Sequence, residues 1–226
     1  KEKYKKSGNI LLVSFSRDIR AANTLMKIGK SYAIYRKSDL VVIHTIFPNE
    51  DVLKISKSYH PRFNILLTHK IIWKLVQQIF PIISIISKLK RGNDLLSLKH
   101  ENHNIGKYIY DYILRKNKIP TIDTIDANYY IQIIYGYLIA VIIKEIITKY
   151  KPTSIVCLDN VYLEGILFEL AKDLKIECIT GINVNRISFH LYDDYESYNQ
   201  HCRTPDDYIL KKYIENKNDE RSEEHT

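Results

Sequence analysis

Glycine is scarce in this chain of 226 residues: there are 7, and none forms a Gly-x-Gly-x-x-Gly turn or a Walker A loop. Gly-x-Ser-x-Gly and His-Glu-x-x-His are missing too. These absences count against a self-contained dehydrogenase, nucleotidase, hydrolase or metalloprotease, whose chemistry needs those backbone turns or ligand spacings. Cysteine is limited to Cys157, Cys178 and Cys202, an odd number without metal-ligand spacing. No disulfide framework follows, and a reducing compartment fits. The first apolar run, residues 10–15, is too short for a signal-peptide core, so the expected location is cytoplasmic. Long runs of one charge are also lacking. The densest cluster is Lys1, Lys3, Lys5 and Lys6, expected to be a solvated basic tail over residues 1–8.

What is present suffices for a sizeable core. Hydrophobic residues make up 45% and charged residues 27%. The net charge of +8 admits nucleic acid, anionic lipid or phosphorylated small molecules as partners. The 18 tyrosines would suit nucleic-acid binding. Many of them, such as Tyr129, Tyr130 and Tyr135, fall in apolar helical patterns, and no nucleic-acid motif occurs. No nucleic-acid partner is expected.

Apolar runs over residues 9–15, 39–47, 153–158 and 176–182 read as strands buried on both faces. Between them lie helical patterns. One starts at the cap Ser16-Arg17-Asp18 and runs to Tyr35, another starts at Asn49 or Glu50 and runs to Ser58, and a third spans residues 162–174. Residues 63–89 predict a kinked helix or helix pair broken at Pro81, and residues 91–104 a polar loop or lid. Residues 106–116 and 126–150 predict two further helices. Strands alternating with helices imply a doubly wound parallel sheet, Rossmann-like and flanked by helices. Such sheets bind ligands beyond the carboxyl ends of their strands. Polar groups sit at two of those ends, residues 14–18 and 159–162.

Residues 129–147 and 71–89 are apolar enough to be compared with membrane spans. Gln132, Lys144 and Glu145 interrupt the first; Lys74, Gln77, Gln78 and Pro81 interrupt the second. The expectation is core helices, with a surface-lying amphipathic helix as the alternative.

His100 and His103 flank Glu101 in a polar stretch, but a metal site needs further ligands that the sequence does not supply, so no metal is expected. Two other segments carry more. In Ile105-Gly106-Lys107-Tyr108-Ile109-Tyr110-Asp111-Tyr112-Ile113-Leu114-Arg115, helical spacing puts Lys107, Asp111 and Arg115 on one face. That face is either a solvated, salt-bridged one or an edge for an acidic or sugar-bearing ligand. In Leu158-Asp159-Asn160-Val161-Tyr162-Leu163-Glu164-Gly165, a strand end turns into a helix with a glycine in its first turns. Asp159 suits a helix cap, and the amide groups that follow suit an anion.

These two segments resemble a group of bacterial capsule and surface-polysaccharide biosynthesis proteins, glycosyltransferases of the two-Rossmann-domain (GT-B-like) kind. In that group an Ile-Gly-x-x-Ile-Tyr-Asp-x-x-Leu-Arg-like stretch precedes a long helix, and a strand then leads to a Tyr-x-x-x-Gly-x-Leu-x-x-x-Ala-like helix. Here Tyr162 and Gly165 are one residue closer together than in that pattern, and Asp159-Asn160 stand where a histidine is expected. The resemblance covers residues 9–187 and implies the acceptor-side, N-terminal half of such an enzyme. It implies a nucleotide-sugar donor without a further cofactor, and a glycan or lipid-linked acceptor. It implies action in the cytoplasm at the inner face of the membrane, with peripheral attachment as an option. In such enzymes the donor diphosphate sits mainly on the second domain. Asp159 is the candidate base. Arg17, Lys107, Asp111, Arg115, Asn160, Tyr162 and Gly165 are candidate substrate contacts.

The chain opens on Lys1 without methionine, and its last six residues, Arg221-Ser222-Glu223-Glu224-His225-Thr226, resemble translated sequencing-adapter text. The expected organisation is a tail (1–8), a Rossmann-like acceptor-side domain (9–192), the start of an interdomain region (193–220) and an artefact (221–226). An enzyme fragment that is inactive alone is the first reading. A non-catalytic binding or assembly module of polysaccharide biosynthesis, keeping the fold without the chemistry, is the second.

Overall fold

The computed structural model describes residues 8–14, 19–44, 48–157, 162–184 and 186–193. In chain order its main elements are β1 (Asn9–Ser14), α1 (Ile19–Tyr35), β2 (Asp39–His44), α2 (Glu50–Ser58), β3 (Phe63–Leu66), α3 (Leu67–Gln77) and α4 (Ile79–Lys88). They continue with α5 (Gly92–Leu96), β4 (Lys99–His100), β5 (His103–Asn104), α6 (Gly106–Asn117), α7 (Ala127–Tyr150), β6 (Pro152–Cys157), α8 (Tyr162–Ala171), β7 (Glu177–Val184) and β8 (Arg186–Tyr192).

Six strands form one sheet in the order β3-β2-β1-β6-β7-β8. All neighbours are parallel except β7 and β8. The fold is α/β, with a mostly parallel sheet flanked by helices and compatible with a Rossmann-like class. Side chains alternate along the strands and divide the interior in two. Ile10, Leu12, Leu40 and Val42 pack with Leu25 and Met26 of α1 on one face. Leu11, Val13, Val41, Ile43 and Ile155 pack with α6, α7 and α8 on the other. The chain leaves β1 toward β2 on one side and enters from α7 into β6 on the other. The strand order therefore reverses between β1 and β6, where open α/β sheets hold ligands.

Several expectations hold. Helices α2 and α7 form over the expected spans; Asn49 opens α2 by accepting from the Asp51 amide, and the structure adds a cap on α7, where Asp126 accepts from the Asn128 amide. Helix α7 is apolar on all sides, and 67% of its most apolar window is buried within the domain, as a core helix requires. The caps expected at 16–18, the turn 158–161, the basic tail and everything beyond 193 lie outside the described residues.

Other expectations need correcting. The sheet is not wholly parallel: β8 adds an antiparallel edge over residues 186–192, where Ile187, Phe189 and Leu191 alternate with polar residues as in a strand with one face covered. Residues 63–66 are not helical but form the edge strand β3 on β2. The run Ile65-Leu66-Leu67 is apolar across the strand-to-helix junction, so periodicity offers no boundary. The break between α3 and α4 falls at Gln78 rather than at Pro81, with a bend of 74°. Pro81 sits in the first turn of α4, where a missing N–H removes no intrahelical bond. Residues 91–104 are not a plain loop. Asp94 accepts from the amides of Lys90 and Arg91 to start α5, and a two-stranded antiparallel ribbon follows.

One polar cluster pins the edge strand to the helix above it. The buried His44 of β2 reaches Ser56 of α2 (3.1 Å) and Asn64 of β3 (2.9 Å) through Nε2, and Ser56 donates to Asn64 (2.8 Å). Asn64 Oδ1 only accepts, so Nε2 carries the proton. Burial holds the His44 pKa below the ordinary value, and the Asn64 bond only partly offsets it.

Candidate functional site

The two segments singled out in the sequence pack against each other. Helices α6 and α8 run antiparallel: Lys107, at the start of α6, meets Glu169 near the end of α8 (3.3 Å). Arg115, near the end of α6, meets Tyr162 at the start of α8. Since α8 begins just past the carboxyl end of β6, the second contact lies on the ligand-binding edge of the sheet. Arg115 donates from Nη1 to the Tyr162 hydroxyl at 2.6 Å, and its guanidinium stands 4.7 Å from the ring centroid. Arginine can make both contacts because its planar head stacks and donates at once.

Tyr162 has φ +53°, in the left-handed region. An aromatic residue there costs on the order of 1–2 kcal/mol, and such strain persists only where the surroundings hold it. The Arg115 contact is one such hold. Sequence reasoning did not foresee the pair, because 47 positions separate its members.

The other candidates are distributed differently. Lys107 and Arg115 are eight positions apart on α6, about 12 Å along the axis, so one small anion does not bridge them. Lys107 instead helps neutralise Glu169, whose side chain is only 5% exposed. Glu169 also accepts from Lys172 (2.8 Å) and from the Asn104 amide (3.2 Å). Asp111 is exposed between Lys107 and Arg115; partial burial of its carboxyl raises its pKa, opposed by the Lys107 charge. Among the described residues no ion pair joins Asp111 to Arg115. Gly165 is buried within α8. Arg17, Asp159 and Asn160 belong to segments 15–18 and 158–161, outside the described residues. Both segments follow the carboxyl ends of adjacent strands, β1 and β6.

Much of the first segment is structural. A Cβ on Gly106 would lie 1.9 Å from the Leu95 carbonyl oxygen. Ile109 fills the space left by Gly136 of α7. The Tyr110 hydroxyl accepts from the Ile122 amide (3.1 Å). What remains for a ligand is Arg115, Asp111 and the start of α8.

Glu169 sets a pH dependence. Burial pushes its pKa up, but Lys172 and Lys107 outweigh burial and the net shift is downward. A carboxyl lowered in the folded state contributes stability that is complete above the unfolded value and lost as pH falls through the folded one. Urea midpoints are therefore expected to drop below the ordinary carboxylate range more steeply for the native protein than for Glu169→Gln. Parallel acid limbs for the two would show that the contacts with Lys107 and Lys172 contribute nothing.

The ribbon His100–His103 does not assemble a metal site: among the described residues no group of three His, Cys, Asp or Glu side chains could hold one. His103 is buried, and His100 packs edge-on to Tyr137 with ring centroids 5.6 Å apart. A cavity of about 880 Å³ opens at the opposite, amino edge of the sheet, lined by Arg36, Lys144, Lys151, Lys175 and Glu177 among others. There Glu177 accepts from Tyr32 and Ser154 and pairs with Arg36. Burial, with the Glu177 bond, pushes the Tyr32 hydroxyl up to about 12. The volume would admit a ligand, but the cavity lies across the sheet from the strand ends where α/β folds bind. Of the two acidic residues that line it, Glu177 and Asp193, the first is already held by Arg36, Tyr32 and Ser154.

Comparison with protein-family models, curated proteins and solved structures finds no match to this chain.

Proposed function

We propose that this domain is the acceptor-side half of a sugar-transfer enzyme of surface-polysaccharide assembly, taking a nucleotide-sugar as donor and a glycan or lipid-linked sugar as acceptor. The contact between Arg115 and Tyr162 carries this reading. The two segments on which the resemblance rests converge at the carboxyl edge, beside the β1/β6 reversal. A guanidinium there can stabilise an anionic or hydroxyl-rich ligand, and the start of α8 adds amide donors. Asp159, two residues beyond β6, is the base this reading assigns to the acceptor hydroxyl. The wider enzyme would act at the cytoplasmic face of the membrane.

A second reading, a non-catalytic binding module, is favoured by the structural use of Gly106, Ile109 and Lys107, which leaves few residues of the first segment for chemistry.

Saturation-transfer NMR against nucleotide-sugars and oligosaccharide acceptors tests the assignment of the edge. Contact is expected for at least one acceptor class. Arg115→Ala should weaken it by about tenfold or more, as losing a charged hydrogen bond does. Lys107→Ala should leave binding intact while lowering stability. Equal losses in both variants, or no contact with any sugar, would remove Arg115 from the site.

A further inference from the structure

We propose that the pair α3–α4 docks the protein on an anionic lipid surface, an inference independent of the sugar-transfer reading. Each helix has two apolar sides. The inner side is Leu67 and Ile71 on α3, and Ile82, Ile85 and Ile86 on α4, all packed in the main core. The outer side is Ile72, Trp73 and Val76 on α3, and Ile79, Phe80 and Ile83 on α4. Both outer sets repeat as i, i+1, i+4, and they meet across the bend at Gln78. Trp73 is 64% exposed and Phe80 81%. Six large apolar side chains clustered in a dozen residues exceed the scattered exposure normal for a monomer surface.

Charge selects the occupant. No Asp or Glu occurs between Asp51 and Asp94, while Lys70, Lys88, Lys90 and Arg91 stand exposed around the patch. Lys74 is tied back to Glu145 of α7, anchoring the pair to the core helix. A second copy meeting this face about a two-fold axis would bring the same cations together, which opposes association. Anionic headgroups meet the cations and acyl chains meet the apolar side chains. At 11 and 10 residues the helices measure about 16 Å, half of what spanning requires, so they lie in the interface rather than cross it.

Trp73 is the sole tryptophan, so its emission reports on this patch without any substitution. Adding phosphatidylglycerol-containing vesicles should shift the emission to the blue, and lipids brominated on their acyl chains should quench it. Pure phosphatidylcholine vesicles, or high salt, should weaken binding by about tenfold or more. Phe80→Ser with Ile83→Ser, both at exposed positions, should abolish co-flotation with an unchanged circular dichroism spectrum. An emission that ignores anionic vesicles overturns the proposal. So does a blue shift without lipid accompanied by a doubled mass, which would assign the patch to a second copy. Undiminished flotation of the serine variant would place attachment elsewhere and overturn it as well.

Discussion

Gly106→Ala should lower the melting temperature by about 6–12 °C, from roughly 3 kcal/mol of lost stability at about 2–4 °C per kcal/mol for a domain of this size. The added methyl would stand 1.9 Å from the Leu95 carbonyl oxygen and 2.9 Å from the Leu98 amide nitrogen. Both obstructions are backbone, so relief requires moving α5 away from the start of α6. That movement would also disturb the bonds from the Ile105 and Gly106 amides to the Leu98 carbonyl. Gly29→Ala is the informative contrast. There the nearest obstruction is the terminal methyl of Leu12 at 2.3 Å, which can turn away. Alanine also gains about 1 kcal/mol of helix propensity over glycine. Thermal melts of the two variants should therefore separate widely, with Gly29→Ala within a few degrees of the native protein. Similar melting temperatures would mean that α5 and α6 are not held at the distance seen.

On the proposed sugar-transfer reading, Asp159→Asn should reduce the turnover number of an active full-length protein by two to four orders of magnitude, the contribution expected of a positioned base. The folded state should barely change, because asparagine caps a helix about as well as aspartate. The pH profile separates chemistry from packing: the limb set by a titrating carboxylate should vanish in the variant, whereas a purely capping role leaves both rate and profile unaltered. If Asp159→Asn folds normally and transfers sugar at the native rate, Asp159 is a cap and the base lies elsewhere.

How much of this was legible beforehand follows from which signals are local. The α2 boundaries, opening at Asn49, could be read from neighbouring residues, as could the span of α7. Each is decided within a turn of helix. β3 was hidden because an edge strand of four residues ran into an apolar helix without punctuation. β8 carries a strand's alternation in Ile187, Phe189 and Leu191, and only its antiparallel direction had to come from its pairing with β7. The candidate site was half legible. Lys107, Asp111 and Arg115 were correctly set on one helix face, but a helix face does not say what it meets.

The sequence by itself determined the alternation of buried strands with helices, and with it an α/β, mostly parallel sheet. Burial of short apolar runs and of amphipathic faces is written into residues only a few positions apart. The tertiary structure alone decided that α6 lies antiparallel to α8. That packing commits Lys107 to the buried Glu169 and brings Arg115 to the strained Tyr162. Those partners lie 62 and 47 positions away along the chain. Such contacts arise only once the sheet and the long core helix have fixed where each helix end stands.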